Sequence, residues 1–360
     1  MSVYERQGVD YEVLDAAKRR ALQAARATSG QLGEHHGSAD ERSWGEPAFM
    51  FEFAGMRLVQ VLEGLGTKSI ITRTYEEQTG RFHYDWLARD TVAAIVNDLV
   101  CIGARPLVVN AYFATGGDAW YDVPRRNEQL VDGWRDACAD AGATWGGGES
   151  PSLPGLVNHG HLELAGCATG YLPDGVAPLL GDQLDEGDVI VLVPSSGLHA
   201  NGASIARALD LDLRTPFDDG ATLGEHLLRP SHIYVRLVRD LVDAGAPLHY
   251  ISHITGHGFR KLMRADRALT YRIHTLPPVP PILRFLAEQT GMDPAEAYGT
   301  FNMGAGLAIY CPPSAADAVV HAASTHGHRA LVAGHVERGE RAVVVEPIEH
   351  TYQHSELRLR

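Results

Sequence analysis

Between residues 90 and 103, Val92, Ile95, Val96, Leu99 and Val100 recur at i, i+3, i+4, i+7 and i+8. They draw one apolar stripe along a helix that Gly103 brings to an end. At about 100° per residue, Asp90 and Asn97 fall on nearly the same line away from that stripe, with Ala94 between them and Asp98 beside them. A face that meets only water usually carries long Lys and Glu side chains. Short Ala, Asn and Asp predict instead the close approach of something hydrogen-bonded or metal-bearing, against the plainer alternative of an ordinary exposed face.

The same reading predicts a helix over residues 11–28, a polar and mobile connector over 30–46, and a hairpin of strands 48–53 and 56–62 turning at Ala54-Gly55. A strand at 107–112, a helix at 128–141 and a strand at 162–171 follow. The turn residues Leu172-Pro173-Asp174-Gly175 then mark a boundary. Beyond it, strands 189–193, 251–254 and 307–310 alternate with helices 203–209, 231–244 and 280–289. This pattern predicts an α/β (α+β) chain of two domains, residues 1–172 and 173–360.

At 360 residues the chain exceeds the size at which one hydrophobic core usually stops growing, which agrees with two domains. Its formal net charge of -14 argues against nucleic acid or an anionic membrane as a partner, since both need a basic face. No apolar run reaches the length of a membrane helix and the start carries no signal-like apolar segment, so a cytoplasmic protein is expected. The four cysteines, Cys101, Cys138, Cys167 and Cys311, lack metal-site spacing and read as buried free thiols. His159/His161 and His253/His257 are weak zinc candidates without supporting ligands nearby.

Four glycine-bearing segments carry the candidate chemistry. Glu63-Gly64-Leu65-Gly66-Thr67-Lys68 offers turn glycines, a hydroxyl and an ammonium directly after a strand, suited to phosphate oxygens. Its spacing is not that of a Walker A loop. Residues 146–155 form a glycine run with one acid, Glu149. Such a run turns N–H groups, Gly148 among them, toward an anion while a carboxylate holds the accompanying cation; the bland alternative is a surface turn. Ser195-Ser196-Gly197-Leu198-His199-Ala200-Asn201-Gly202 leads into a predicted helix, whose N-terminal end favours anions. A serine hydrolase is the rival there, but the Gly-x-Ser-x-Gly elbow is missing. His253-Ile254-Thr255-Gly256-His257-Gly258-Phe259 repeats the strand-turn theme.

Taken in order, Gly8-Val9-Asp10, the loop ending at Lys68, Val96-Asn97-Asp98-Leu99, Gly147-Gly148-Glu149, the Ser195–Gly202 loop, Leu227-Leu228-Arg229-Pro230, Thr255-Gly256-His257-Gly258-Phe259 and Thr300-Phe301-Asn302-Met303-Gly304 match a family. Over roughly residues 4–345 the sequence resembles aminoimidazole ribonucleotide (AIR) synthetase, phosphoribosylformylglycinamidine cyclo-ligase. The resemblance implies an N-terminal domain whose sheet pairs with that of a second subunit into a barrel, so a homodimer, and a C-terminal α/β sandwich. It also implies small-molecule nucleotide substrates, with ATP and Mg2+ activating the formyl amide of formylglycinamidine ribonucleotide.

Carried over by motif, Gly64, Gly66, Thr67, Lys68, Asn97, Gly148, Ser195 and Gly202 would hold the nucleotide. Glu63, Asp98 and Glu149 would face the metal, and Lys68, His199, Asn201 and Thr255 would serve the reacting groups. This chain departs from the family at three places: Glu63 stands where the family has Asp, Trp44-Gly45-Glu46-Pro47 replaces a glycine-rich stretch, and His257 replaces a glycine. The alternatives are a paralogue using ATP on another amide or phosphate acceptor, or a non-catalytic nucleotide-binding subunit. The basic residue expected to reach the site from the N-terminal region has Lys18 as a candidate.

Overall fold

Six strands of the first half, β1 (Ser38–Ala39), β2 (Phe49–Phe53), β3 (Met56–Gly64), β4 (Arg105–Thr115), β5 (Thr144–Glu149) and β6 (Leu162–Leu172), make one sheet in the order β1-β2-β3-β6-β4-β5. This computed structural model describes residues 11–357, so the Gly8-Val9-Asp10 motif lies outside the described residues. Strict alternation in β6 separates the faces: Leu162, Leu164, Ala168 and Leu172 are buried, while Glu163, Ala165, Cys167, Thr169 and Tyr171 are half-exposed. The buried face rests on helices of the first half, among which α1 (Tyr11–Arg26), α2 (Gln31–Glu34), α3 (Lys68–Thr79), α4 (Tyr84–Val100) and α5 (Pro124–Asp140) follow in chain order. A Cβ at Gly166 would come within 2.9 Å of Ile95 and 3.2 Å of Trp134, so glycine there lets α4 and α5 seat close against the strand. The other face carries exposed Leu62, with 74% of its surface accessible, and Tyr112.

The second half builds a seven-stranded sheet from β7 (Val189–Pro194), β8 (Tyr250–His253), β9 (Leu269–Ile273), β10 (Ala305–Cys311), β11 (Leu331–Arg338), β12 (Ala342–Val345) and β13 (His350–Gln353), ordered β13-β12-β9-β11-β7-β10-β8. Its central strands read as continuous apolar runs because both faces are covered. One hydrophobic cluster runs from Val92, Ile95, Val96 and Leu99 of α4 to Val191, Val193, Leu307 and Ile309 of this sheet, so the two halves share a core.

The two-sheet α/β architecture is as the sequence predicts, with local differences. Residues 146–149, expected in a phosphate loop, belong to the parallel edge strand β5, and glycine is required at Gly148 because a Cβ would lie 1.9 Å from the Ala111 carbonyl oxygen. The expected connector over 30–46 holds α2 and β1 and buries Ser43 and Glu46. Helix α3 follows the Glu63–Lys68 segment without an apolar stripe clear enough to announce it. The cysteines carry free thiols, with Cys101, Cys138 and Cys311 buried and Cys167 partly so. Among the described residues, no helix is long and apolar enough to cross a membrane.

Candidate active site

Helix α4 is buried on both sides, and its polar line is a seam between the halves. The Asp90 carboxylate accepts the Ser231 backbone N–H at 2.8 Å and the Ser231 hydroxyl at 2.5 Å, and its other oxygen lies 2.5 Å from Lys68 Nζ. Lys68 Nζ also donates to the carbonyls of His199 (2.9 Å) and Arg229 (3.3 Å). One turn pair along, Asn97 donates to the His232 carbonyl at 2.8 Å and accepts the Tyr234 N–H at 2.9 Å. The small polar face thus approaches backbone of the second half, which satisfies the short side chains that the sequence places there.

Asp98, one residue further round the helix, leaves this seam and enters a cleft of about 530 Å³ between the halves. The first half supplies Ser43 to Pro47 and Phe49, Glu63, Gly64, Leu65, Ala94 and Asp98. The second supplies Ala200, Asn201, His253 to His257 without Ile254, Lys261 and Arg264, and α1 adds Lys18 and Leu22. His253 Nδ1 lies 2.6 Å from Asp98 Oδ1. Glu46, buried at the cleft edge, accepts the Tyr250 hydroxyl at 2.7 Å, and Arg264 donates to the Gly45 carbonyl at 3.1 Å. These bonds fasten the 43–47 segment to the second half.

Burial shapes the electrostatics. It pushes the Glu63 carboxyl up to about 7, with the neighbouring Asp98 charge adding to the rise and Lys261, Arg264 and Lys18 opposing it. Burial also works to raise Asp98, but the hydrogen bond and charge of His253, with Arg264 and Lys261, win and hold Asp98 below the usual carboxylate range. Lys261 is brought down to about 7 by burial and by Arg264, against the pull of Asp98 and Glu63. His257, in the left-handed region at φ 72°, is pressed down to about 3 by burial and the adjacent cations. Beside Glu46, which is engaged by Tyr250, the cleft therefore holds two further acids of unequal proton affinity, Glu63 and Asp98, facing a set of cations, an arrangement suited to an anion accompanied by a metal ion.

Known proteins bear on this geometry. The profile of AIR synthase related protein, N-terminal domain, matches residues 45–172, and that of the C-terminal domain matches residues 185–346. A phosphoribosylformylglycinamidine cyclo-ligase of Alkaliphilus oremlandii is 33% identical over 80% of this chain and 84% of its own length. The cyclo-ligase of Shouchella clausii is 32% identical over 95% of this chain and 98% of its own. The chain belongs to the AIR synthetase family. It is an enzyme of that type. A solved structure of the hydrogenase maturation protein HypE in complex with ATP shares the fold, with a TM-score of 0.60 at 20% identity over 84% of this chain and 87% of that one.

Of the residues that AIR synthetase motifs implicate here, Glu63, Gly64, Asp98, Asn201 and Thr255 line the cleft together. Lys18 is there too. His199 stands alongside, in a small cavity shared with Asn97, Asn201, Ser231 and His253. Its Nε2 accepts the Ser196 N–H at 3.1 Å, so the neutral ring carries its proton on a buried Nδ1 that finds no partner among the described residues. Burial, then His232, His253 and Lys68, keep that ring well below the ordinary imidazole range.

The other motif residues do not line the cleft. Lys68 is wholly buried in its ion pair, and both functional groups of the Asn97 amide are spent on the seam. The Ser195 hydroxyl donates to Asn302 at 2.8 Å, and Thr67 shares a hydrogen bond of 2.8 Å with Ser204. Gly66 turns the chain at φ 74° into α3, and Gly202, at φ 98°, opens the short helix α6 (Ala203–Ala208) beneath Phe301. Gly148 and Glu149 sit on β5. Glu149 pairs in register with Tyr112 on the open face of the sheet, whereas Glu63 pairs with Gly166 on the covered face. The expected grouping of Glu63, Asp98 and Glu149 is therefore not formed within one chain, because a sheet stands between them. Among the described residues no three His, Cys, Asp or Glu side chains are grouped to hold a metal.

Sequence reasoning passed over Glu46, Lys261 and Arg264. A signal existed: Lys261 and Arg264 are cations set among Phe259, Leu262 and Met263, a run apolar enough to be interior.

Proposed function

We propose that this enzyme closes the imidazole ring of aminoimidazole ribonucleotide from formylglycinamidine ribonucleotide at the expense of ATP. The observation that carries the reading is the meeting of Glu63, Asp98, Asn201 and Thr255, drawn from four separated motifs, in one cleft between the halves. A phosphoribosylformylglycinamidine cyclo-ligase aligns over 95% of this chain, and the related HypE fold was solved with ATP. In the proposed reaction the formyl amide oxygen attacks the γ-phosphorus and ADP departs with the bridging electron pair. A substrate nitrogen then adds to the activated carbon, loses its proton, and phosphate leaves. Positioning and charge neutralisation supply most of the acceleration. Asn201 and Thr255 would orient the amide, and the buried Nδ1–H of His199 is a donor suited to the oxygen that gains charge.

Mg2+ characteristically takes one or two carboxylates and completes its shell with phosphate oxygens and water. Glu63 and Asp98 fit that donor set. They would hold the ion, whose chemistry is to neutralise charge on the transferred phosphoryl group. Lys68, wholly buried in its ion pair, would support the His199 loop through the carbonyl it binds. Homodimerisation through the open sheet face is part of the proposal, supported by exposed Leu62 and Tyr112 there. A role for Glu149 at a metal would have to be played toward a second subunit.

His257 in the cleft favours a second reading, in which the same ATP chemistry serves a different amide or phosphate acceptor. A phosphate-release assay with formylglycinamidine ribonucleotide, ATP and Mg2+ decides between them. Turnover supports ring closure, and ATP binding without turnover favours the other acceptor.

A further inference from the structure

The chain has three lysines among 31 basic residues, Lys18, Lys68 and Lys261, and two of them line the cleft. Lys68 and Lys261 are both buried, with 0% and 8% of their surface exposed, yet they are treated oppositely. The Lys68 ammonium has a carboxylate at 2.5 Å and two carbonyls. The Lys261 ammonium makes no hydrogen bond or ion pair among the described residues, although its side chain lines the cleft. A buried amine with no carboxylate at bonding distance holds its proton at a cost, so a site that keeps one has a use for it or a partner that arrives later.

The backbone that presents it is held with unusual thoroughness. Four successive carbonyls accept side-chain bonds: Lys261 from the Ser252 hydroxyl (2.7 Å), Leu262 from Tyr310 (2.7 Å), Met263 from Arg341 Nε (2.8 Å) and Arg264 from the other arm of Arg341 (3.0 Å). Arg264 in turn reaches the Gly45 carbonyl across the cleft. The carbonyls of Lys261 and of the three residues after it are thus held from outside the turn. A cation held this way loses little entropy on meeting a ligand, which is the condition for effective oxyanion binding.

We propose that Lys261 is the oxyanion-binding cation of this cleft, taking a phosphoryl oxygen of the bound reactants across from the acids Glu63 and Asp98. A phosphoryl group seated there would be neutralised by Lys261 of the second half, while Glu63 and Asp98 of the first half would hold the ion that accompanies it. The inference rests on the reading of the cleft as a phosphoryl-transfer site. It adds a residue outside the motifs that led to that reading. The phosphoryl group belongs either to the nucleotide or to the acceptor.

The test uses the full chain and its Lys261→Met and Lys261→Arg variants, titrated calorimetrically with inorganic phosphate, with a non-hydrolysable ATP analogue plus Mg2+, and with formylglycinamidine ribonucleotide. Lys261→Met should melt as cooperatively as the parent and lose about tenfold in phosphate affinity, the scale of one charge-assisted bond, with Lys261→Arg retaining part of it. A matching loss in the nucleotide titration assigns the triphosphate, and one in the ribonucleotide titration assigns the acceptor. Parental affinity for all three ligands in a folded Met variant overturns the proposal.

Should the Met variant not fold, amine acylation of the parent followed by mass spectrometry gives the answer, with buried Lys68 as internal control. Lys261 should be shielded by saturating phosphate or nucleotide, and an unchanged acylation rate overturns the assignment. These measurements need no turnover. A parent that binds through Lys261 yet leaves formylglycinamidine ribonucleotide unchanged would sink the ring-closure reading and leave this one standing.

Discussion

The ammonium of Lys68 lies 2.5 Å from the carboxylate of Asp90, and neither side chain has any exposed surface. The pair joins α3 to α4, and through Ser231, His199 and Arg229 it ties both to loops of the second half. Lys68→Met leaves a buried carboxylate unpaired and should cost roughly 3–5 kcal/mol. Urea melts measure this, and the double variant Lys68→Met/Asp90→Leu should recover part of the loss. A single variant as stable as the parent would show that the pair is not what holds this seam.

Asp98 is one residue from Asn97 but points into the cleft. Asp98→Asn keeps the shape and removes the charge next to His253. ATP-dependent phosphate release should fall about 100-fold, with a higher Mg2+ concentration needed for half-maximal rate. A variant with parental Mg2+ dependence would remove Asp98 from the metal site.

His232 predicts a pH dependence of stability. Burial first, then His328 and Arg89, lower its imidazole from 6.5 to about 4. Between those values the unfolded chain takes up a proton that the folded chain refuses. The contribution is therefore complete above about 6.5 and drains away as pH falls toward 4. Denaturant melts across this range should show a slope that His232→Gln reduces. An unaltered slope would place the acid sensitivity on another group, such as His257.

Leu62 is 74% exposed on the open face of the first sheet. Leu62→Lys should move sedimentation equilibrium toward monomer if that face joins two copies, with the thermal melt of each subunit little changed. A Lys variant that associates as the parent does would direct attention to another surface.

Much of the fold was legible in the sequence. The stripe of Val92, Ile95, Val96 and Leu99 announced α4, and the short polar residues opposite it announced a close approach. What approached was not legible. Asp90 and Asn97 meet backbone of residues 231–234, about 135 to 141 positions away, and no local pattern encodes such a pairing. The glycine run before Glu149 read as a loop because strand propensity is judged from side chains. Here glycine is required by an edge strand lying against Ala111.

The sequence by itself determined the mixed α/β class, the period of the clearly patterned elements such as α4, and the turns at Gly66 and Gly202, because these depend on neighbours within a few residues. The tertiary structure alone decided which of the turn residues share a cleft. Glu63 and Glu149 part company because a strand points alternate residues to opposite faces, and Lys68 and Lys261 differ because only one finds a carboxylate within bonding distance. Packing across the seam assigned those places, and with them the roles that the side chains can take.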